Sequence, residues 1–427
     1  MIRHAALFLV AVAITGALAA QSATSSLEDL RQRRVPVLEA LKQEVADAPF
    51  SLGPVRLVPR LEVRELGYDN NIFGVSENAQ SDWVARVAAG ARLLLPVGSQ
   101  LFLIGDALPG YDAYLRHSEL RDWNGDYGVG AVAAFNRLSV EARAFDDRHR
   151  DSVSSEVLEL ADRRVRGASA DVEIEVSHRF GLVGEYSVAR FRYAAVGFLA
   201  LPESADITQL DRTETTVRAG LRYHLTEHVS VAGLVEDSTA AFARIGNNRE
   251  NRSRAYLLAL HYDRPRLYVE ATGGHRRIEA SSGSGFPEFS GVTGSFYAEV
   301  LTPAERLGLD AWGHRGIDYG LFQNEPYFRE NLLGGGPFAR LGRRFKLSLF
   351  AAAGTNVYPV PTTTGGRSVN QEYNVLRAGA ELSAQISRSL LFRFRGESVR
   401  YNSKIAGLDF KVLSVQAGMS LNGKIFR

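Results

Sequence analysis

From Glu372 to Leu421 the chain places an apolar residue at almost every second position, over runs longer than a soluble sheet needs. Leu376, Ala378, Ala380, Leu382, Ala384 and Ile386 make one row, with Arg377, Gly379, Glu381, Ser383 and Gln385 between them. After Ser387-Arg388-Ser389 the pattern resumes as Leu390, Phe392 and Phe394 against Arg393, Arg395 and Glu397. A third run sets Leu413, Val415, Ala417, Met419 and Leu421 against Ser414, Gln416, Gly418 and Ser420. A period of two sends alternate side chains to opposite faces of a strand, so each run has one greasy and one polar face. Three long antiparallel strands ending at the C-terminus are predicted.

The same pattern runs back to Phe50. Strands are predicted over Val55 to Tyr68, Trp83 to Leu95, Leu101 to Tyr114, Asp126 to Phe135, Leu138 to Asp146, Ala168 to His178, Leu182 to Tyr193 and Thr213 to Leu225. They continue over Val229 to Phe242, Arg254 to Tyr262, Arg266 to Ile278, Val292 to Leu301, Leu307 to Tyr319, Tyr327 to Leu341 and Phe345 to Tyr358. Tight turns at Pro96 to Ser99, Arg179 to Gly181, Thr226 to His228, Pro265 and Pro303 alternate with long connections. The long ones include Asn70 to Asp82, a charged loop over Asp147 to Gly167, Gly246-Asn247-Asn248, Gln323 to Pro326 and Pro359 to Asn370.

The count is about eighteen strands of about ten to fourteen residues, against ~5 or 6 in ordinary soluble sheets and ~9 to 11 for a strand that crosses a membrane. An even strand number, short turns on one side, long loops on the other and apolar/polar alternation are together the signature of an all-β, up-and-down transmembrane barrel. Closure removes the exposed edge of so large a sheet, so the last strand is predicted to pair with the first near Val55. Trp83, Tyr193, Tyr223, Tyr262, Tyr319, Tyr358, Tyr373 and Tyr401 stand near strand ends, where interfacial girdles are expected. No fixed-period repeat is present, which argues against a propeller or solenoid.

Composition agrees with export. The 427 residues carry a net charge of +2 with arginines and acids interspersed, which does not suit a nucleic-acid binder, and no cysteine, which excludes disulfides, thiolate metal sites and a lipidated N-terminal cysteine. Arg3 and His4 precede an apolar run from Ala5 to Leu18, and Ala17-Leu18-Ala19-Ala20 offers small residues for cleavage, so residues 1–20 are predicted to be a signal peptide. Residues 21–49 follow as a helical segment, a periplasmic helix or a plug in the barrel mouth, with a solvated spacer as the alternative: Ser25 and Glu28 have capping-box spacing, and Leu27, Leu30, Leu38, Leu41 and Val45 recur at helical intervals. Residues 50–427 form the barrel.

Local motifs for chemistry fail on inspection. Asp122, Asn124 and Asp126 begin like a calcium loop, but Tyr127 stands where glycine is required and Ala133 where the bidentate glutamate belongs. His228 and Ser230 share a strand face beside a short turn and read as a solvated turn. Gly334-Gly335-Gly336 lacks the lysine and hydroxyl of a phosphate loop and reads as a bend or a close-packing site. With no HExxH, paired-histidine zinc spacing or nucleophile elbow, neither an enzyme nor a cofactor nor a metal is predicted.

The informative surface is the lumen. With the apolar rows facing lipid, Arg86, Arg92, Arg143, Arg218, Arg222, Glu236, Glu270, Arg377, Glu381, Arg393, Arg395 and Glu397 line the pore, joined by Glu141, Asp171, Glu173, Glu175, Asp310 and Lys346. A charge on the lipid face costs about 2 to 4 kcal/mol for arginine or lysine at mid-bilayer, which fixes this orientation. Two arrangements of the charges are open. Arginines and acids can pair across neighbouring strands and stiffen the wall, or rows such as Arg218 with Arg222 and Arg393 with Arg395 can form an electropositive path for an anionic solute.

Entering the first strand the chain reads Phe50-Ser51-Leu52-Gly53-Pro54-Val55-Arg56-Leu57-Val58-Pro59-Arg60-Leu61, and it leaves through Gly67-Tyr68-Asp69-Asn70-Asn71-Ile72-Phe73. This resembles the opening of the outer-membrane β-barrel porin type 2 family, with Asn70 where aspartate is commoner; at the other end Arg427 follows Phe426, where such barrels usually finish on the aromatic. Members of that family are associated with exopolysaccharide secretion, so the resemblance implies an export channel for a polysaccharide in a Gram-negative-type outer membrane, with a periplasmic export partner. The alternatives are a small-solute uptake porin, a closed structural or adhesion barrel, and an outer-membrane lipid enzyme. Outer-membrane lipid is the expected surrounding in each case, and nucleic acid is not an expected partner. Within the motif, Tyr68 is expected at the interface, Asp69, Asn70 and Asn71 as turn caps, and Ile72 and Phe73 beneath neighbouring loops.

Overall fold

A computed structural model describes residues 37–75, 78–152, 160–196, 206–244, 249–281, 285–321, 326–360, 362–364, 367–369, 372–387, 389–403 and 409–421. The predicted signal peptide, the capping-box residues Ser25 and Glu28, the Gly246-Asn247-Asn248 loop and the terminal Phe426-Arg427 lie outside these. Helix α1 spans Val37–Asp47, and a short strand, Phe50–Leu52, folds back on the start of the sheet. The barrel strands are β1 (Val55–Asp69), β2 (Asp82–Val97), β3 (Leu101–Tyr114), β4 (Asp122–Ala134), β5 (Leu138–Ser152), β6 (Leu160–Glu175), β7 (Phe180–Ala195), β8 (Arg212–Thr226) and β9 (Val229–Phe242). They continue as β10 (Asn251–Arg264), β11 (Leu267–Ala280), β12 (Phe289–Leu301), β13 (Leu307–Asp318), β14 (Phe328–Leu341), β15 (Phe345–Val357), β16 (Glu372–Gln385), β17 (Leu390–Ser403) and β18 (Phe410–Leu421).

Every strand pairs antiparallel with its sequence neighbours, and β18 returns to β1 with Leu61 opposite Leu421 and Asp69 opposite Ser414, closing an 18-stranded barrel. The tight turns use left-handed glycines where the chain reverses, at Gly98 (φ 69°) after β2 and Gly342 (φ 70°) after β14. A bulge in β1 between Val63 and Glu65 shifts its register against both neighbours. The extra residue, Arg64, swings to Asp126 on β4 and His149 on β5, three and four strands away.

The alternation sorts the side chains as the sequence requires. Trp83, Val87 and Leu93 are exposed on one face of β2, while Val84, Ala88 and Leu94 on the other are buried. Leu221, Leu258, Leu309, Leu333, Leu349 and Phe394 continue the exposed apolar surface around the cylinder.

Two expectations are corrected. The charged segment over Asp147 to Gly167 is largely strand: β5 runs to Ser152 and β6 starts at Leu160, with Asp146 opposite Arg166 and Arg148 opposite Arg164. Charged residues can extend a hairpin because backbone pairing continues into water beyond the apolar belt. The second correction concerns the aromatics. Tyr193, Tyr358, Tyr373 and Tyr401 are buried, and Tyr319 packs against Phe242 and Phe286 rather than at an outer girdle. Near the long-loop end the inward rows are aromatic too, and spacing from a strand end does not say which face a ring takes. The outward rings there include Tyr68 beside Trp83 and Tyr111 beside Trp123.

The strand exit behaves as a structural loop. Asp69 accepts from Asn71 N at 2.7 Å, Asn70 Oδ1 accepts from Leu413 N at 2.7 Å, and Asn71 bonds both polar groups of Val75. Ile72 and Phe73 pack with Val84, Tyr114 and Leu120. Asn70 thus ties β1 to β18 across the closure, and Asn70→Ala is expected to lower unfolding stability by about 1 kcal/mol. Urea titration of protein folded in vesicles measures this, and an unchanged midpoint would count against the tie. At Gly334 a Cβ would lie 2.6 Å from the Trp312 ring, and at Gly336 it would lie 1.9 Å from Leu349 O, so these glycines serve close packing.

Candidate functional site: a charged lumen with both mouths occupied

The polar rows of neighbouring strands merge into ion-pair belts on the inner wall. On β7 to β11, Arg218 contacts Glu185 and Glu236 at 2.5 Å each, and Arg276 reaches Glu236 at 2.6 Å. Glu141, Asp171 and Glu185 stand in successive cross-strand pairs that lead into this belt. Arg222 pairs with Glu173 at 2.5 Å. Across the barrel, Arg377 meets Glu397 at 3.0 Å, and Arg395 lies 2.8 Å from Glu397 and 3.8 Å from Glu381. Arg86 pairs with Glu65 at 3.3 Å, and Arg92 with Asp106 at 2.8 Å.

The other residues expected to line a pore have neighbours along the wall. Glu270 accepts from Tyr268 at 2.8 Å, and Arg143 lies over the Phe145 ring at 5.7 Å. Lys346 lies over Phe338 at 4.1 Å, Arg393 stands opposite Ser383, and Asp310 and Glu299 oppose one another across β12 and β13. Glu175 continues the row of Asp171 and Glu173 along β6. Of the two arrangements open from sequence, the pairs realise the first: Arg218, Arg222 and Arg395 each meet at least one carboxylate. The Arg222 to Glu173 pair, about a third exposed on both sides, is worth roughly 0 to 1 kcal/mol, whereas Glu236 is buried between Arg218 and Arg276, and removing one partner there leaves an uncompensated charge. The side chains of the calcium-like segment are engaged likewise: Asp122 pairs with Arg148, the Asn124 amide donates to Asp112, and Asp126 meets Arg64 and His149.

At the short-turn end α1 lies against the inner wall. Leu41, only 5% exposed, packs with Val58, Leu94, Phe102 and Val132, inward residues of β1 to β4, and Leu38 and Val45 flank it. Glu44 reaches across to Arg92 at 3.1 Å. Leu38, Leu41 and Val45 are the helical repeat seen in the sequence, here given a partner surface.

At the other end, loops fold into the mouth. Leu321, after β13, is fully buried with Ala161 and Val165 of β6 and Phe191 of β7, seven and six strands away around the wall. Arg249 is also fully buried, donating to Gly320 O at 2.5 Å and to Gln209 Oε1 at 3.4 Å. Arg212 stacks over Phe191 (4.3 Å) and Tyr319 (4.8 Å). The loop before β8 is set by Asp206, which accepts from Thr208 N and its hydroxyl and pairs with Arg244 at 2.6 Å. The Thr208 hydroxyl above all holds the Asp206 carboxyl below the usual aspartate range. Arg212 and Arg249 were not singled out from sequence: a lone arginine at a strand or loop end carries no periodic signal.

No family model matches the chain, and no curated protein matches it. Among solved structures it is similar to OpdK of Pseudomonas aeruginosa, solved with vanillate, at 13% identity and a TM-score of 0.51, over 85% of this chain and 98% of that one. A bacterial polysaccharide outer membrane secretin matches at 10% identity and a TM-score of 0.36, over 86% and 98% of the two chains. The F5-1 variant of the FrpB iron transporter from Neisseria meningitidis matches at 9% identity and a TM-score of 0.45, over 81% of this chain. This chain spans 63% of that transporter's length. At such identities the OpdK likeness establishes a shared barrel architecture and nothing narrower.

Proposed function

We propose that this barrel is an outer-membrane channel for a hydrophilic solute, with a polysaccharide chain as the solute class implied by the resemblance of residues 50–73. One observation supports the reading: the closed wall of 18 strands is apolar outside and carries clusters of paired arginine and carboxylate on its inner face. Sixteen to eighteen strands leave an aqueous lumen, and a wall of paired charges conducts small ions of both signs while offering a sugar chain many hydrogen-bond partners. Selection here is passive, by size and by the balance of charge along the belts.

Planar-bilayer recording of the purified chain tests this. Ohmic channels that are blocked by neutral or acidic polysaccharide support the polymer reading. Channels indifferent to polysaccharide but permeable to small solutes leave an uptake porin, and no conductance under any condition sinks both. Within the belt, Glu236→Gln removes the acid shared by Arg218 and Arg276 and is expected to shift the reversal potential toward anion selectivity. An unmoved reversal potential would place Glu236 outside the conducting path.

A further inference from the structure

On the long-loop side, just beyond the apolar belt, the outward face of β5, β6 and β7 carries an arginine array that conduction does not use. Arg148, Arg164 and Arg192 stand directly opposite one another across the three strands, and one pleat nearer the belt so do Asp146, Arg166 and Arg190. The next row toward the belt is Ala144, Ala168 and Val188. Alternation fixes the outward direction, because Val165 and Phe191 between these arginines are buried inside while Ile174, Leu182 and Tyr186 on the arginine face are exposed.

Like charges directly opposed on a sheet are destabilising, their Cβ atoms being about 4.5 to 5.5 Å apart. Internal compensation is incomplete. Asp146 serves both Arg164 (2.7 Å) and Arg166 (2.9 Å), Arg148 reaches Asp122 (2.7 Å) and, at 3.8 Å, Asp162, which Arg150 also holds, and Arg192 reaches Asp211 (3.1 Å). Arg190 is exposed and has no ion pair among the described residues. Even the paired guanidinium groups keep about half their surface open, 45% for Arg164 and 56% for Arg166. A two-row array across three strands is about 10 Å wide, at ~4.8 Å between strands, and rises about 7 Å between rows. Guanidinium forks match phosphate oxygens in pairs, and cations at this height face the headgroups of the adjoining leaflet.

We propose that this array binds the phosphate groups of an anionic glycolipid packed in the leaflet on the long-loop side. The proposal rests on the membrane-spanning reading of the barrel. Its position and charge select the occupant: the apolar belt below seats acyl chains, and the guanidinium rows above meet the phosphorylated sugar.

The full chain, inserted into phosphatidylcholine bilayers doped with diphosphorylated lipid A or with its dephosphorylated form, tests it by native mass spectrometry of retained lipid after mild extraction. The wild type is expected to retain the diphosphorylated form selectively. The double variant R166Q/R190Q should bind it about 30-fold more weakly, from two lost cations near the headgroups, and R166K/R190K should stay within a few-fold of wild type. Equal retention of the two lipids, or glutamine variants that bind like wild type, would overturn the proposal. Inorganic phosphate that binds the array as tightly as the lipid would assign it to a soluble anion and overturn the lipid assignment too. The heat-modifiable electrophoretic shift of a folded barrel separates the two levels: a chain that inserts without lipid preference sinks this site alone, and one that never inserts sinks the channel reading and this site together.

Discussion

On the proposed channel reading, replacing Leu41 by aspartate is expected to release α1 from the inner wall and to raise the conductance of the barrel. Leu41 is the centre of the contact between helix and wall, buried among Val58, Leu94, Phe102 and Val132. Its burial is worth about 1.5 to 3 kcal/mol, and an ionised carboxylate in the same place costs several more. A loss of only about 2 kcal/mol changes the ratio of docked to released helix by about 30-fold. The Glu44 to Arg92 pair, 3.1 Å apart with both side chains more than a quarter exposed, is too weak to hold the helix alone. Single-channel recording should show larger, steadier current steps for Leu41→Asp, matched by a chain lacking residues 37–47. If both variants conduct as the full chain does, α1 rests beside the conducting path and the plug reading of residues 21–49 fails.

A second large effect separates the two faces of one strand by a single residue. Leu258, midway along β10, is 59% exposed on the outer surface. Leu258→Arg places a cation in the lipid belt, at a cost of about 2 to 4 kcal/mol near mid-bilayer. Ala259 faces the interior, paired with Thr272 and diagonal to Glu270, so Ala259→Arg enters a polar lumen and should cost far less. Equilibrium unfolding from vesicles reads both. Equal destabilisation by the two arginines would mean that the outer face does not meet hydrocarbon.

The strand order and the closure of β18 on β1 were legible because a barrel strand repeats a two-residue rule for its whole length. Arg377, Glu381, Arg395 and Glu397 could be expected on one common face before any partner was known, since they alternate with Leu376, Ala380, Leu382 and Phe394. The pairings were not legible in the same way. That Arg218 is shared by Glu185 and Glu236 depends on the register of three strands, and register follows from turn geometry and closure.

Where period two ends, the sequence says least. The charged residues from Asp147 to Arg166 read as a loop because no apolar row marks them, yet the hairpin continues there and sets Arg148, Arg164 and Arg192 side by side. Tyr358, Tyr373 and Tyr401 read as a girdle because distance along a strand is visible in sequence, whereas the face a ring takes near the rim depends on which loops cover it. Alternation alone therefore determined a closed barrel with a polar interior. Only the tertiary structure decided what occupies that interior, because the docking of Leu41 on Val58 and Leu94, and of Leu321 on Phe191, joins residues far apart in the chain that no local pattern relates.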